Sequence, residues 1–286
     1  PFNPFRMPLF IFCSGGLLYL SRIRKGWPIK DLYVDKLKRI VVPFVFFVCF
    51  YYFFKLLLNP FTKTKVVFSV GNFLESFCIY YGHPSSHLWF LPVLFWFMLL
   101  YPLFRHLCES TPKMLLFLAA TVAFYFVDLS GLSDYNYFYL FSLNQYLVWF
   151  FCGIVFFRYQ LYSYLQTWQS CILTAVVYVL CYYDDVPLLT PLSGILLMIS
   201  LSQQLARFCP TLFSSFREYI YQIFLMSFIF QPFVELVLWK RLFYNEQLFP
   251  LFYVLNVLFG LYLPVIVSKL VERSNIRWLK MCIGLS

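Results

Sequence analysis

Only three side chains in this sequence ordinarily change charge near neutral pH: His83, His87 and His106. An imidazole of this kind can act as a general base, taking the proton from a hydroxyl as it attacks. His83 and His87 lie four residues apart in GHPSSHLWFLP. Pro84 between them denies the shared helical face that a metal pair needs, so no metal site is expected. A second chemistry belongs to Lys36, Lys38 and Arg39 in KLKRIVVP, just before Pro43. Three cations at the start of an apolar run can grip a polyphosphate, and the guanidinium fork matches phosphate oxygens. The competing reading is a stop-transfer cluster on anionic lipid, worth about 1 kcal/mol per cation.

Other polar residues point elsewhere. Ser14, followed by Gly15 and Gly16, has no base nearby in sequence. Small residues in an apolar helix let a neighbour approach closely, and that is the role expected of them. Asn144 and Gln145 read as buried amides holding helices together. Glu235 stands near Trp239 and Lys240 at the end of an apolar run and is expected to reach the interface. Nine cysteines form no C-x-x-C pair, which argues against a zinc or redox motif.

The elements that must position these groups are set by composition. Of 286 residues, 62% are hydrophobic and 12% charged, about half the charge of an ordinary soluble domain. With 38 Phe and 23 Tyr, the apolar surface exceeds what one aqueous core can hide. The predicted fold class is therefore all-α, a polytopic transmembrane bundle forming one domain over residues 1–286. Nine apolar runs, at about 7–20, 40–58, 88–104, 113–128, 138–158, 168–183, 187–206, 218–240 and 248–268, approach the ~20 residues that span a bilayer. Residues 66–82 read as an outer loop with an amphipathic piece.

Charge sets the orientation. Sixteen of the 22 basic residues, from Arg22 to Lys280, fall in alternate loops on one side. Arg6, Lys55, Lys63, Lys65, Lys240 and Arg241 fall on the other, where two loops carry only acids, Asp128 with Asp134 and Asp184 with Asp185. The positive-inside rule puts the 21–39 loop and the C-terminus in the cytoplasm, which accounts for the net charge of +10 without nucleic acid. Nine spans ending inside must start outside. The expectation is that one helix precedes Pro1, with a cleaved signal peptide as the competing explanation.

Four stretches resemble the acyltransferase 3 family of integral-membrane O-acyltransferases, in that family's order. FRMPLFIFCSGGLL at 5–18 is similar to its second-helix signature, and KLKRIVVP at 36–43 to its Arg-x-x-Arg motif, with Lys36 in place of the first Arg. HLWFLPVLF at 87–95 is similar to its Trp-Phe-Leu motif. YIYQIFLMS at 219–227 resembles its late helix, with Ser227 where the family has His. The resemblance implies ten helices, of which nine are present, and a catalytic His on the first.

It also implies transfer of an acyl group, often acetyl, from cytoplasmic acyl-CoA to a carbohydrate hydroxyl of the envelope, in the inner membrane. Acyl-CoA is then a co-substrate and no cofactor is bound. Lys36, Lys38 and Arg39 would hold its phosphates. Arg6 or Trp89 would donate to the oxyanion, and His87 would be the substitute base. The chain from Pro1 is expected to be inactive without the preceding helix. The alternatives are a flippase for lipid-linked sugar, against which the lack of inverted repeats argues, and a non-catalytic scaffold for polysaccharide export.

Overall fold

Each of the nine apolar runs coincides with helix in the computed structural model of the chain. The structure describes residues 3–61, 65–79, 83–129, 131, 137–184, 186–235, 238–239, 245–274 and 276–285. Lys63, Asp134, Asp185, Lys240 and Arg241, used above for orientation, lie outside these. The α-helices are α1 (Asn3–Leu18), α2 (Ile29–Lys36), α3 (Val42–Leu58), α4 (Val70–Cys78), α5 (Phe90–Leu99), α6 (Tyr101–Leu107), α7 (Thr111–Tyr125), α8 (Leu140–Arg158), α9 (Trp168–Tyr183), α10 (Leu189–Phe208), α11 (Ile220–Phe233), α12 (Phe249–Arg273) and α13 (Arg277–Cys282). No strand occurs among the described residues, so the fold is all-α.

Among the described residues, four helical stretches are long and apolar enough to cross a membrane: Ile29–Leu58, which joins α2 to α3, and α8, α10 and α12. A fifth is gained if α5, with the turn before it, and α6 form one bent span. The break falls at Leu100, and Pro102 explains it: without an N–H, it cannot donate to the Met98 carbonyl and its ring crowds that turn. The run 88–104, expected as one span, is therefore bent by 53°. α7 and α9 are apolar but shorter. α4 is the short helix expected within 66–82. Leu57 and Leu116 are each 75% exposed, an arrangement that only a lipid solvent makes inexpensive.

Contacts divide the chain into two compact units. The first comprises Pro1–Tyr33, Trp96–Ser133 and Leu140–Leu212. Its centre is α1, which packs on α8 and α10. In lipid, apolar side chains gain little by leaving their solvent, so helices associate by close approach. Gly15 lies against the Phe150 carbonyl and Gly153 against the Phe12 carbonyl, so the two backbones touch where any Cβ would overlap. Ser14 donates to Phe10 O at 2.8 Å within its own helix, as befits a packing residue. Aromatic rings fill the rest, with Phe97 4.8 Å and Phe104 5.6 Å from Phe150 between centroids. Asn144 is buried and donates to Phe124 O, holding α8 to α7. Gln145, expected to be buried beside it, is exposed: successive helical residues point about 100° apart, and only one can face inward.

The second unit comprises Val34–Phe95, Asp134–Tyr139 and Phe213–Ser286. Here α11 packs on α12, with the Gln231 side chain over Gly260, and α13 packs against α3. Gln222 of α11 donates to Ile283 O at 3.2 Å, tying down the segment after α13.

Candidate functional site

In the second unit, a basic turn and a cavity lie along the same helix. α2 runs into α3 without a break, but Leu37–Val41 forms a wider π turn. Such turns insert one residue into a helix and re-aim its side chains. On this turn the Asp35 carboxylate takes Arg39 Nε at 3.1 Å and Lys36 Nζ at 3.8 Å. Lys36 and Arg39 are thus brought to one point, while Lys38 is exposed. The Arg39 side chain remains 47% exposed. A pair this open is worth about 0–1 kcal/mol, so a phosphate can take the carboxylate's place. Asp35 was missed from the sequence, although its i,i+4 spacing to Arg39 on a helix is a readable signal.

The backbone of the same turn is held from a distance. Pro43 has no N–H, which deprives the Arg39 carbonyl of its ordinary donor four residues on. The Tyr221 hydroxyl, at the start of α11, donates to that carbonyl at 2.7 Å. Two of the four sequence motifs, 182 residues apart, therefore meet at one oxygen.

Farther along α3 lies a cavity of about 210 Å³, lined by Tyr51, Phe54, Lys55, Leu58, Pro84, His87, Phe228 and Pro232. Its walls come from α3, the 83–87 segment and α11. His87 sits in the short 3-10 turn Ser86–Trp89 that follows Pro84, fixed by Ser85 Oγ donating to Ser76 O at 3.2 Å. The imidazole is clasped between the Tyr51 ring edge, 4.3 Å away, and the Phe228 face, 4.4 Å away. Tyr51 is itself held, its hydroxyl donating to Leu225 O at 2.7 Å. His87 Nε2 is buried with no hydrogen-bond partner among the described residues. A buried polar atom of this kind can accept a hydrogen bond from, or donate one to, a group that enters the cavity.

Lys55 is the cavity's one charged lining residue, half-buried and with no carboxylate partner among the described residues. It was read from the sequence only as an outer-side cation. Nothing local in the sequence joins it to His87, because the walls of the cavity come from distant segments. Twelve residues separate Arg39 from Tyr51, roughly 18 Å along the helix at ~1.5 Å per residue.

The remaining candidates stand apart from this cavity. Trp89 is buried two residues beyond His87 but does not line it. His83 does not line it either. Arg6 is exposed on α1 in the first unit. His106, also in the first unit, is exposed and engaged by Glu109 at 3.1 Å and Lys113 at 3.0 Å. Glu235 is exposed. No group of three or more His, Cys, Asp or Glu that could hold a metal occurs among the described residues.

No curated protein sequence and no solved structure matches the chain. The acyltransferase domain that defines one family of membrane enzymes matches it over residues 1–269, which takes in the basic turn, the cavity and the late helix alike. On that match, the chain belongs to the acyltransferase 3 family.

Proposed function

We propose that this membrane acyltransferase moves an acyl group, in the simplest case acetyl, from cytoplasmic acyl-CoA to a hydroxyl of an envelope carbohydrate. The observation that carries this reading is the His87 cavity, where Nε2 has no partner among the described residues, along the same helix as the Lys36–Arg39 turn. Lys36 and Arg39, with Lys38 beside them, release Asp35 and take the nucleotide phosphates. Roughly 18 Å of α3 then separates them from the cavity, a span that an extended pantetheine arm can cover.

In the cavity the acceptor hydroxyl attacks the thioester carbonyl carbon, and His87 Nε2 takes its proton. The oxyanion that forms is assigned to Lys55 Nζ, which lines the cavity, where Arg6 and Trp89 do not. Collapse of the tetrahedral intermediate breaks the carbon–sulfur bond. The CoA thiolate leaves, and the proton on His87 returns to sulfur. This reading places the protein in the inner membrane with all nine apolar helices crossing it and the C-terminus in the cytoplasm.

The test uses protein reconstituted in vesicles with radiolabelled acetyl-CoA and a mixture of envelope glycans. With His87 as the base the chain is expected to be active, in place of the inactivity expected with the base on a preceding helix. His87→Ala should lower kcat by about 100-fold or more, the usual range for loss of a general base. Lys36→Ala should raise the KM for acetyl-CoA about tenfold while kcat changes little, as expected for uniform binding. Full activity in His87→Ala would place the base elsewhere. Sugar flux without acyl transfer, unaffected by Lys36→Ala, would favour the flippase.

A further inference from the structure

A second, smaller cleft opens in the first unit, where α1 and α8 end, and it plays no part in the acyl transfer proposed above. Its volume is about 120 Å³, well under the ~300–1,000 Å³ of a pocket for a drug-sized ligand or cofactor. Leu20 and Phe157 supply its apolar surface, while Arg24, Arg158, Gln160, Tyr19 and Tyr162 supply its polar one.

Three local features build it. α1 ends in a π turn, Tyr19–Ile23, closed by Arg24 N–H donating to Tyr19 O at 2.9 Å, which puts Tyr19 and Arg24 on the same wall. Gln160 adopts a left-handed conformation, φ 53°, that turns the chain sharply after α8. The turn brings Tyr162 back until its ring is 6.0 Å from Phe157. Arg158 is anchored by donating Nη1 to Cys108 O and, at 3.7 Å, to Met114 Sδ. Both anchors are neutral, so its charge is positioned without being cancelled.

Neither Arg24 nor Arg158 has a carboxylate partner among the described residues. Arg22, two residues from Arg24, is drawn over the Trp27 ring at 3.3 Å and does not line the cleft. Two guanidinium groups, an amide and two phenols, without an acid, form a donor-rich wall suited to a small tetrahedral anion.

We propose that this cleft binds a phosphate group, either as a free anion or as the headgroup of an anionic phospholipid. Lipid chemistry has a place to continue, since Leu17, one turn back on α1, is 63% exposed.

The experiment is calorimetric titration of the purified full chain in detergent with two probes, inorganic phosphate and dihexanoyl phosphatidylglycerol below its micelle concentration. Saturable one-to-one binding of at least one probe is expected. Arg24→Gln should weaken that binding at least tenfold. Lys25→Gln removes the same charge from an exposed neighbour outside the cleft, and should change the affinity less than threefold. Binding of inorganic phosphate supports a free-anion site, and binding of phosphatidylglycerol alone supports a lipid headgroup site. No saturable binding of either probe, or equal weakening by both substitutions, would overturn the proposal. Arg158 is left intact because its substitution would also release the Cys108 loop.

Discussion

At the scale of single residues, Lys55 makes the sharpest demand on the proposed chemistry. An ammonium on a largely apolar cavity wall, with no carboxylate partner among the described residues, is useful where negative charge develops during reaction. Lys55→Ala should lower kcat for acyl transfer by about 100-fold with little change in the KM for acetyl-CoA, since removal of an oxyanion donor costs ~10²–10³. Lys55→Arg should recover part of the rate. A Lys55→Ala enzyme with normal kcat would remove Lys55 from the reaction. His87 was visible in the sequence by type, and the Lys36–Arg39 pair by spacing. The partners that decide their roles were not. Tyr51 and Phe228 reach His87 from 36 residues before it and 141 residues after, with no periodic signal linking them.

Among the elements, the α1–α8 crossing is the least forgiving. The glycines at its centre were legible as a close-packing stretch, because in an apolar helix small residues have little else to offer. Their partner helix was not legible, since Gly153 looks like any other glycine in an apolar run. A Cβ at Gly15 would overlap the Phe150 carbonyl, which is backbone and cannot rotate away. Gly15→Val should therefore destabilise the first unit by about 1–3 kcal/mol or more, read as a lower Tm in detergent. Gly71, where an added Cβ meets only the Ser69 hydroxyl at 3.7 Å, provides the control, and Gly71→Ala should leave Tm within a degree or two. Equal losses at both positions would mean that the crossing does not hold the unit together.

For the whole molecule, hydropathy located the helices well, because the bilayer demands long apolar runs and each one found a helix. It could not distinguish a straight span from a broken one. The interruption at Leu100 depends on the register of Pro102 against Met98, which an averaged window blurs. Sidedness, read from the distribution of Lys and Arg, has a direct chemical test. Cys209, exposed just after α10, should react with a membrane-impermeant maleimide only in inside-out vesicles. A variant retaining Cys209 as its one cysteine isolates the signal. Labelling from the outer face of sealed right-side-out vesicles would invert the proposed orientation.

The Arg39 carbonyl oxygen, which Pro43 cannot serve and the Tyr221 hydroxyl does, makes two distant positions depend on each other. Tyr221→Phe alone removes the hydroxyl that donates to the Arg39 carbonyl, and should cost about 1 kcal/mol. With Pro43→Ala in the same chain, the restored N–H can serve that carbonyl, and the loss of the hydroxyl should cost markedly less. A double-mutant cycle would read this as coupling between residues 178 positions apart. Substitution at either site would then be tolerated or not according to the residue at the other, so the imino acid and the phenol behave as one heritable unit.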